Sequence, residues 1–229
     1  PMGRDYTMMK NVMFYPFSVR NTLSDQTSEI RPYDTSMNDL AIGDVPNAAS
    51  NTSPECGFKL AYNQFSTASG YFGRKGAAKM VIFETDGVPN TQTTGNLTNA
   101  GAYRSYYTGL TVGANVGNNN ATVVNNALAT VSQICALDTA SPPGYSTMNL
   151  PARVHAIGFG DLFQSGSQAE TDARTCLLNV QKRGNTSQAT DTGIESYKIT
   201  IGDYNTRIDL IRQAFERIMQ SGIQVTLIN

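Results

Sequence analysis

The segment Lys79–Asn90, with the sequence KMVIFETDGVPN, constrains the fold of this chain more than any other. Val81–Phe83 is a short β-branched and aromatic run, typical of a strand buried in a parallel sheet. Asp86 follows at the carboxyl end of that strand, the edge at which open α/β sheets bind their ligands. Gly87 and Pro89 then predict an immediate turn. The segment predicts a buried strand with an acidic ligand residue at its end; an ordinary exit from a strand into a loop has the same pattern.

Segments of alternating strand and helix character follow along the chain. Ala152–Gly160 predicts a second buried strand, and Tyr197–Ile201 a third, shorter one. Apolar residues recur at helical spacing in three predicted helices, Ala121–Leu137, Gln168–Arg183 and Arg207–Gln220. Gly184 ends the second of these helices, and Ser221 with Gly222 ends the third. The sequence therefore predicts an α/β fold: a doubly wound, mainly parallel, Rossmann-like sheet with helices on both faces.

Three segments together resemble the second half of a von Willebrand factor type A (vWA) domain. They are VIFETDGVPN (81–90), RVHAIGFGD (153–161) and IDLIRQAFERIMQSG (208–222). The resemblance implies a vWA-like domain over residues 1–221 that is incomplete at its N-terminus. Residues 222–229 would then form a C-terminal strand that leads to a flanking region.

The resemblance also implies a metal-ion-dependent adhesion site at the carboxyl edge of the sheet. Asp86 matches the acidic residue of the family's third loop. Asn51–Gly57 is similar to the second loop, so Thr52, with Ser53 behind it, matches the hydroxyl ligand. Oxygen ligands of these types favour Mg²⁺. The implied function is the binding of a protein partner whose carboxylate takes the open position on the metal.

One element of the family pattern, a first strand followed by an Asp-x-Ser-x-Ser loop, does not occur in this sequence. Asp34 and Ser36 spell part of such a loop. The segment before them is polar and contains Pro32, which a central strand does not tolerate, so a solvated turn explains them better. We therefore expect this span to bind Mg²⁺ weakly or not at all.

The missing strand is also a problem of backbone pairing. Without a central strand, the two strands beside it have buried N–H and C=O groups that lack hydrogen-bond partners. Met13–Val19 resembles the second strand of the vWA family. We expect upstream polypeptide or another copy of the chain to supply a strand between Met13–Val19 and Val81–Phe83. Two alternatives stay open: a sheet that closes without that strand, and use of the apolar segment Ile223–Ile228.

Composition excludes several classes of function. The chain of 229 residues has a formal net charge of −1 and only 15% charged residues, so it carries no basic surface typical of nucleic-acid binding. It contains no apolar run of about 18 residues, the length that predicts a membrane span. Abundant Asn, Thr, Ser and Gly with little Lys favour an extracellular or bacterial cell-envelope protein.

A long polar segment, Asn90–Asn120, follows the acidic residue of the predicted site and carries Tyr103, Tyr106 and Tyr107. Tyrosines among Ser, Gly and Asn are typical of adaptable contact loops, which makes these three tyrosines candidate partner-binding residues. A long surface loop without a binding role explains the same composition.

The three cysteines are odd in number and lack CxxC spacing, which argues against a zinc site. Cys135 and Cys176 lie on apolar faces of predicted helices, as buried thiols or as a disulfide between the helices. Cys56 lies in the loop that carries Thr52 and could pair with a segment outside this sequence.

Catalytic functions find less support. The single histidine, His155, lies within a predicted buried strand and is best explained as a core residue. Neither a GxSxG elbow nor a phosphate-binding glycine motif occurs. Asp86 and Asp161 both follow strands and could face one cleft, as in a hydrolase. We therefore expect a non-enzymatic, metal-dependent adhesion or scaffold domain; the alternatives are a metal-free module acting through its Tyr-rich and Asn-rich loop, and a hydrolase.

Overall fold

The computed structural model describes residues 52–66, 78–94, 111–137 and 151–222. Within them, helices α1 to α4 cover Pro54–Phe65, Ala121–Ala136, Gln168–Arg183 and Tyr204–Gly222. Strands β1 to β5 cover Met80–Thr85, Thr91–Thr94, Thr111–Asn115, Arg153–Phe159 and Ile199–Thr200. Short 3₁₀ turns at Asp161–Gln164 and Ser196–Lys198 precede α3 and β5. The described part of the chain is an α/β structure.

Strands β1, β4 and β5 form a parallel sheet in the order β1-β4-β5. Val81 lies opposite Val154 and Phe83 opposite Ala156, so the two longest strands pair over their full apolar length. The prediction of an α/β fold with a parallel sheet is confirmed. No described strand pairs with the other edge of β1.

Helices cover both faces of this sheet. Successive residues of a strand point to opposite sides, so each face carries apolar side chains that a helix can bury. On one face, Val81, Phe83 and Val154 pack in a core with apolar residues of α1, α2 and α3. Phe58 of α1 and Phe83 lie with their ring centroids 4.9 Å apart. On the other face, apolar residues of β1 and β4 pack against α4: Met80, Ile82, Ile157, Ala214 and Ile218.

The polar segment after Asp86 differs from the prediction of a loop. Strands β2 and β3 lie within it and pair with each other in antiparallel fashion, with Thr91 opposite Asn115 and Thr94 opposite Thr111. The side chains of Thr91 and Thr93 are buried. Burial against the rest of the fold explains why a threonine-rich run with no apolar alternation forms a strand.

One predicted helix boundary and one predicted loop were wrong. Helix α4 begins at Tyr204 and continues through Gly222, although Ser221 and Gly222 were expected to end it. Arg153 Nη1 donates a hydrogen bond of 2.9 Å to the carbonyl of Ser221, which satisfies one of the helix's terminal acceptors from β4. Helix α1 begins at Pro54, so Cys56 lies in its first turn rather than in the preceding loop.

Several predictions concern residues outside the described ranges and stay predictions. They are the strand at Met13–Val19, the donated strand beside β1, the turn at Asp34 and Ser36, and the strand at Ile223–Ile228. Among the described helices, none combines the length and the apolar character that crossing a membrane requires.

Candidate functional site

The candidate site lies at the carboxyl end of β1, where two loops are joined by backbone hydrogen bonds. The amides of Asn90 and Thr91 donate to the carbonyl of Thr52 at 3.0 and 3.2 Å. The amide of Thr52 donates in return to Asn90 Oδ1 at 2.7 Å. These bonds hold the segment that begins α1 against the turn that follows Asp86.

The hydroxyl of Thr52 points at Gly87, the residue directly after Asp86. A Cβ atom placed on Gly87 would lie 2.8 Å from Thr52 Oγ1, closer than a side chain tolerates. The turn itself is stabilised by Thr85, whose Oγ1 accepts from the amide of Gly87 at 3.1 Å. Glycine at this position therefore permits the threonine hydroxyl to approach the end of β1.

Asp86 lies between the ends of β1 and β4. A Cβ atom placed on Gly160, which has a φ of +92°, would lie 3.8 Å from the Cβ of Asp86. The side chain of Asp86 is exposed and makes no hydrogen bond or ion pair with another described residue. Its carboxylate is thus available to a ligand at the edge of the sheet.

The hydroxyl of Ser53 is directed towards β2. It forms a hydrogen bond of 2.6 Å with the hydroxyl of Thr93. The structure therefore brings Thr52 beside the residue after Asp86, and uses Ser53 to fasten the loop to the antiparallel pair.

Asn90 is the residue of this site that the sequence analysis missed. Its buried side chain accepts hydrogen bonds through Oδ1 from the amide of Thr52 and from the hydroxyl of Thr91, both at 2.7 Å. A buried amide that accepts from another loop and from its own neighbour fixes the two segments against each other. The only sequence signal is its place directly after the turn-forming Pro89.

The second carboxylate considered for a hydrolase is engaged elsewhere. Asp161 pairs with Arg207 of α4 and also accepts from Gln164 Nε2 at 3.1 Å. A carboxylate held by a guanidinium is a poor partner for acid–base chemistry with Asp86.

The site offers oxygen atoms of the kind that bind Mg²⁺, and few of these oxygens carry a charge. Asp86 supplies one carboxylate and Thr52 one hydroxyl. Among the described residues, no group of three or more His, Cys, Asp or Glu side chains lies close enough to hold a metal ion. Mg²⁺ commonly keeps several waters beside one or two carboxylates, so Asp86 and Thr52 would hold such an ion only with water in most of its positions.

Tyr103, Tyr106 and Tyr107 lie outside the described residues. The strands that flank them are described: β2 ends at Thr94 and β3 begins at Thr111. The two ends of the intervening segment therefore leave the fold side by side.

His155 is a core residue, as the sequence indicated. It is 5% exposed, and neither ring nitrogen has a hydrogen-bond partner among the described residues. Burial, followed by the positive charges of Lys198 and Arg153, lowers the pKa of His155 to about 4. The imidazole is therefore neutral at physiological pH.

The three cysteines are free thiols. Burial raises the pKa of Cys135 to about 11 and that of Cys176 to about 12. The pKa of Cys56 is also raised, mainly by burial. None of them carries the lowered pKa that marks a reactive cysteine.

Comparison of the sequence and structure with protein-family models, curated proteins and solved structures gave no match.

Proposed function

We propose that this chain is a vWA-like adhesion or scaffold domain that binds a protein partner through a divalent cation at the carboxyl edge of its sheet. The observation that supports the proposal is the approach of the Thr52 hydroxyl to Gly87, beside the free carboxylate of Asp86. These are the two residues that the family resemblance selects from segments far apart in the sequence. The cation is Mg²⁺, held by Asp86 and Thr52, and an acidic group of the partner completes its coordination.

The proposal assigns the protein a binding function outside the cell or in the bacterial envelope. Its polar, Lys-poor loops support that location. A donated strand would complete the doubly wound vWA architecture by pairing with the outer edge of β1. That edge of β1 pairs with no described strand.

We expect the full 229-residue chain to bind Mg²⁺ with a dissociation constant on the order of 1 mM or weaker, since few charged ligands are present. Mn²⁺ is a suitable probe for so weak a site because it broadens nearby NMR signals. Substoichiometric Mn²⁺ should broaden the amide signals of Gly87 and Gly160 first. Asp86→Asn should abolish that selective broadening.

Asp209→Asn provides the matched control, because Asp209 is an exposed carboxylate on α4 paired with Arg212. It should leave the broadening unchanged. Tight Mg²⁺ binding in calorimetry would contradict the prediction and would indicate Asp34 and Ser36 as further ligands.

The second candidate is a metal-free module that acts through the segment between β2 and β3. The antiparallel pairing of these strands favours it, since the pair would present Tyr103, Tyr106 and Tyr107 from a fixed base. This candidate predicts that Mn²⁺ leaves the signals of Gly87 and Gly160 unaffected.

A further inference from the structure

A buried polar cluster lies apart from the candidate site, where α3 meets the entrance of β5. Lys198, in the turn before β5, is 1% exposed, and Gln181, on α3, is 0% exposed. Lys198 Nζ donates a hydrogen bond to Gln181 Oε1. A lysine amine buried against a carboxamide is rare, because burial strongly disfavours the charged ammonium.

Glu195 contacts both members of this pair. Its Oε1 lies 2.9 Å from Lys198 Nζ, and its Oε2 accepts from Gln181 Nε2 at 3.2 Å. One carboxylate therefore touches the amine nitrogen and the nitrogen of the neighbouring amide at the same time.

We propose that Lys198 and Gln181 join in an intramolecular isopeptide bond, with Glu195 as the proton carrier. Glu195 takes a proton from the Lys198 ammonium, and the free amine attacks the side-chain carbonyl carbon of Gln181. A bond forms between Lys198 Nζ and Gln181 Cδ, and the bond between Cδ and Nε2 breaks. Glu195 delivers its proton to the departing nitrogen, which leaves as ammonia. Glu195 then accepts the second proton, which the attacking nitrogen loses as the amide forms, and the ammonia carries that proton to solvent as ammonium. The reaction consumes no oxidant, reductant or further reactant.

The placement of the groups favours this reaction over ordinary solution chemistry. The carbonyl carbon lies one bond, about 1.2 Å, beyond the oxygen that the amine already contacts. The amine donates to this oxygen and must turn to the carbon before it attacks. Groups held in a near-attack geometry react with effective concentrations on the order of 10⁵ M or higher. Lys198 and Gln181 are 1% and 0% exposed, so little water can reach the carbonyl in competition with the amine. Glu195 is on hand for both proton transfers, which a general acid–base group must be.

The proposal goes beyond partner binding and does not depend on it. The product would be a covalent link between α3 and the turn before β5, and it would close a loop through residues 181–198. The rival is a purely non-covalent network, in which Glu195 and Gln181 compensate the buried lysine.

Mass spectrometry of the denatured full chain distinguishes the isopeptide bond from the non-covalent network. A cooperative unfolding transition first shows that the preparation is folded. The bond lowers the intact mass by that of one ammonia. Tryptic digestion should yield a branched peptide joining Gln181 to Lys198, with no cleavage after Lys198. Lys198→Arg, which keeps a buried cation, should show the full sequence mass. Glu195→Gln, which keeps hydrogen bonding and removes the proton acceptor, should also remain unlinked.

Lys182→Arg is the matched control, since it makes the same change on α3 beside Gln181; it should keep the bond. Its unfolding temperature should stay near that of the wild type, whereas that of Lys198→Arg should fall. A folded wild type with the full sequence mass after prolonged incubation would overturn the proposal. Ammonia loss located at another residue would also overturn it. Linkage in Glu195→Gln at the wild-type rate would refute the role of Glu195.

Discussion

Replacing Gly184 with alanine should lower the free energy of unfolding by about 3 kcal/mol, at the upper end of the usual cost of overpacking a core. A Cβ atom at this position would lie 2.4 Å from the carbonyl oxygen of Val154 and 2.8 Å from that of Val180. Both obstacles are backbone atoms of β4 and α3, which cannot move aside as a flexible side chain can. The amide of Val154 also donates to the carbonyl of Gly184 at 2.8 Å, so the contact is fixed by a hydrogen bond.

Urea denaturation of the full chain measures this effect, and Gly57→Ala is the matched control. Gly57 lies on the exposed side of α1, and a Cβ atom there would meet nothing within 4 Å. Alanine should therefore stabilise the protein at that position by up to about 1 kcal/mol, through its higher helix propensity. Equal effects of the two substitutions would show that packing against Val154 is not what requires glycine at position 184.

The sequence predicted Gly184 as the end of a helix, and α3 does end at Arg183. The close approach to Val154 could not be predicted, because it joins residues about thirty positions apart and leaves no periodic signal. Glycine is required here by space rather than by backbone conformation, as its φ of −84° is accessible to any residue.

Helical periodicity predicted most of α2, α3 and α4, because their apolar stripes face the sheet. It failed at the end of α4, where a hydrogen bond from Arg153 on another element extends the helix through Gly222. It failed also at β2, whose Thr91 and Thr93 are buried, and at β3, which pairs with β2 from a distant part of the chain. The spacing of apolar residues predicts a helix or strand when that element buries one regular apolar face. The end of α4 and the strand β2 do not bury such a face.

The candidate site was predictable in outline from the end of a single strand. The apolar run before Asp86 places that residue at the sheet edge, and helix α1 starts directly after Thr52 and Ser53. The contacts of the two hydroxyls were not predictable, because each is made with a residue far along the chain: Thr52 Oγ1 lies against Gly87 and Ser53 Oγ bonds to Thr93. The cluster of Lys198 was missed for a similar reason: its lysine lies in the segment predicted as the third strand, and its partners come from α3 and from the preceding turn.

The stability of the protein should fall as the pH drops from about 6.5 to about 4, and His155 should account for about 3 kcal/mol of the loss. The pKa of His155 is lowered from 6.5 to about 4 in the folded protein. Between these values the unfolded chain binds a proton that the folded chain does not, so acid favours unfolding. The contribution of His155 to the free energy of unfolding is constant above about pH 6.5, and it is fully lost below about pH 4.

His155→Leu tests this directly, because leucine fills the apolar layer between the sheet and α4 without a titratable group. Carboxylates such as Glu170 and Asp203, whose pKa values are lowered by hydrogen bonds, destabilise both proteins alike in acid. The difference between the two stability curves therefore isolates the imidazole.

We expect the variant to gain stability relative to the wild type steadily from about pH 6.5 to about pH 4, and to hold a constant advantage below that range. The variant should also equal or exceed the wild type at neutral pH, since it removes two buried nitrogens that lack partners among the described residues. Parallel curves in urea denaturation across this range would mean that the imidazole is hydrated or paired in solution, and that its burial costs nothing on protonation.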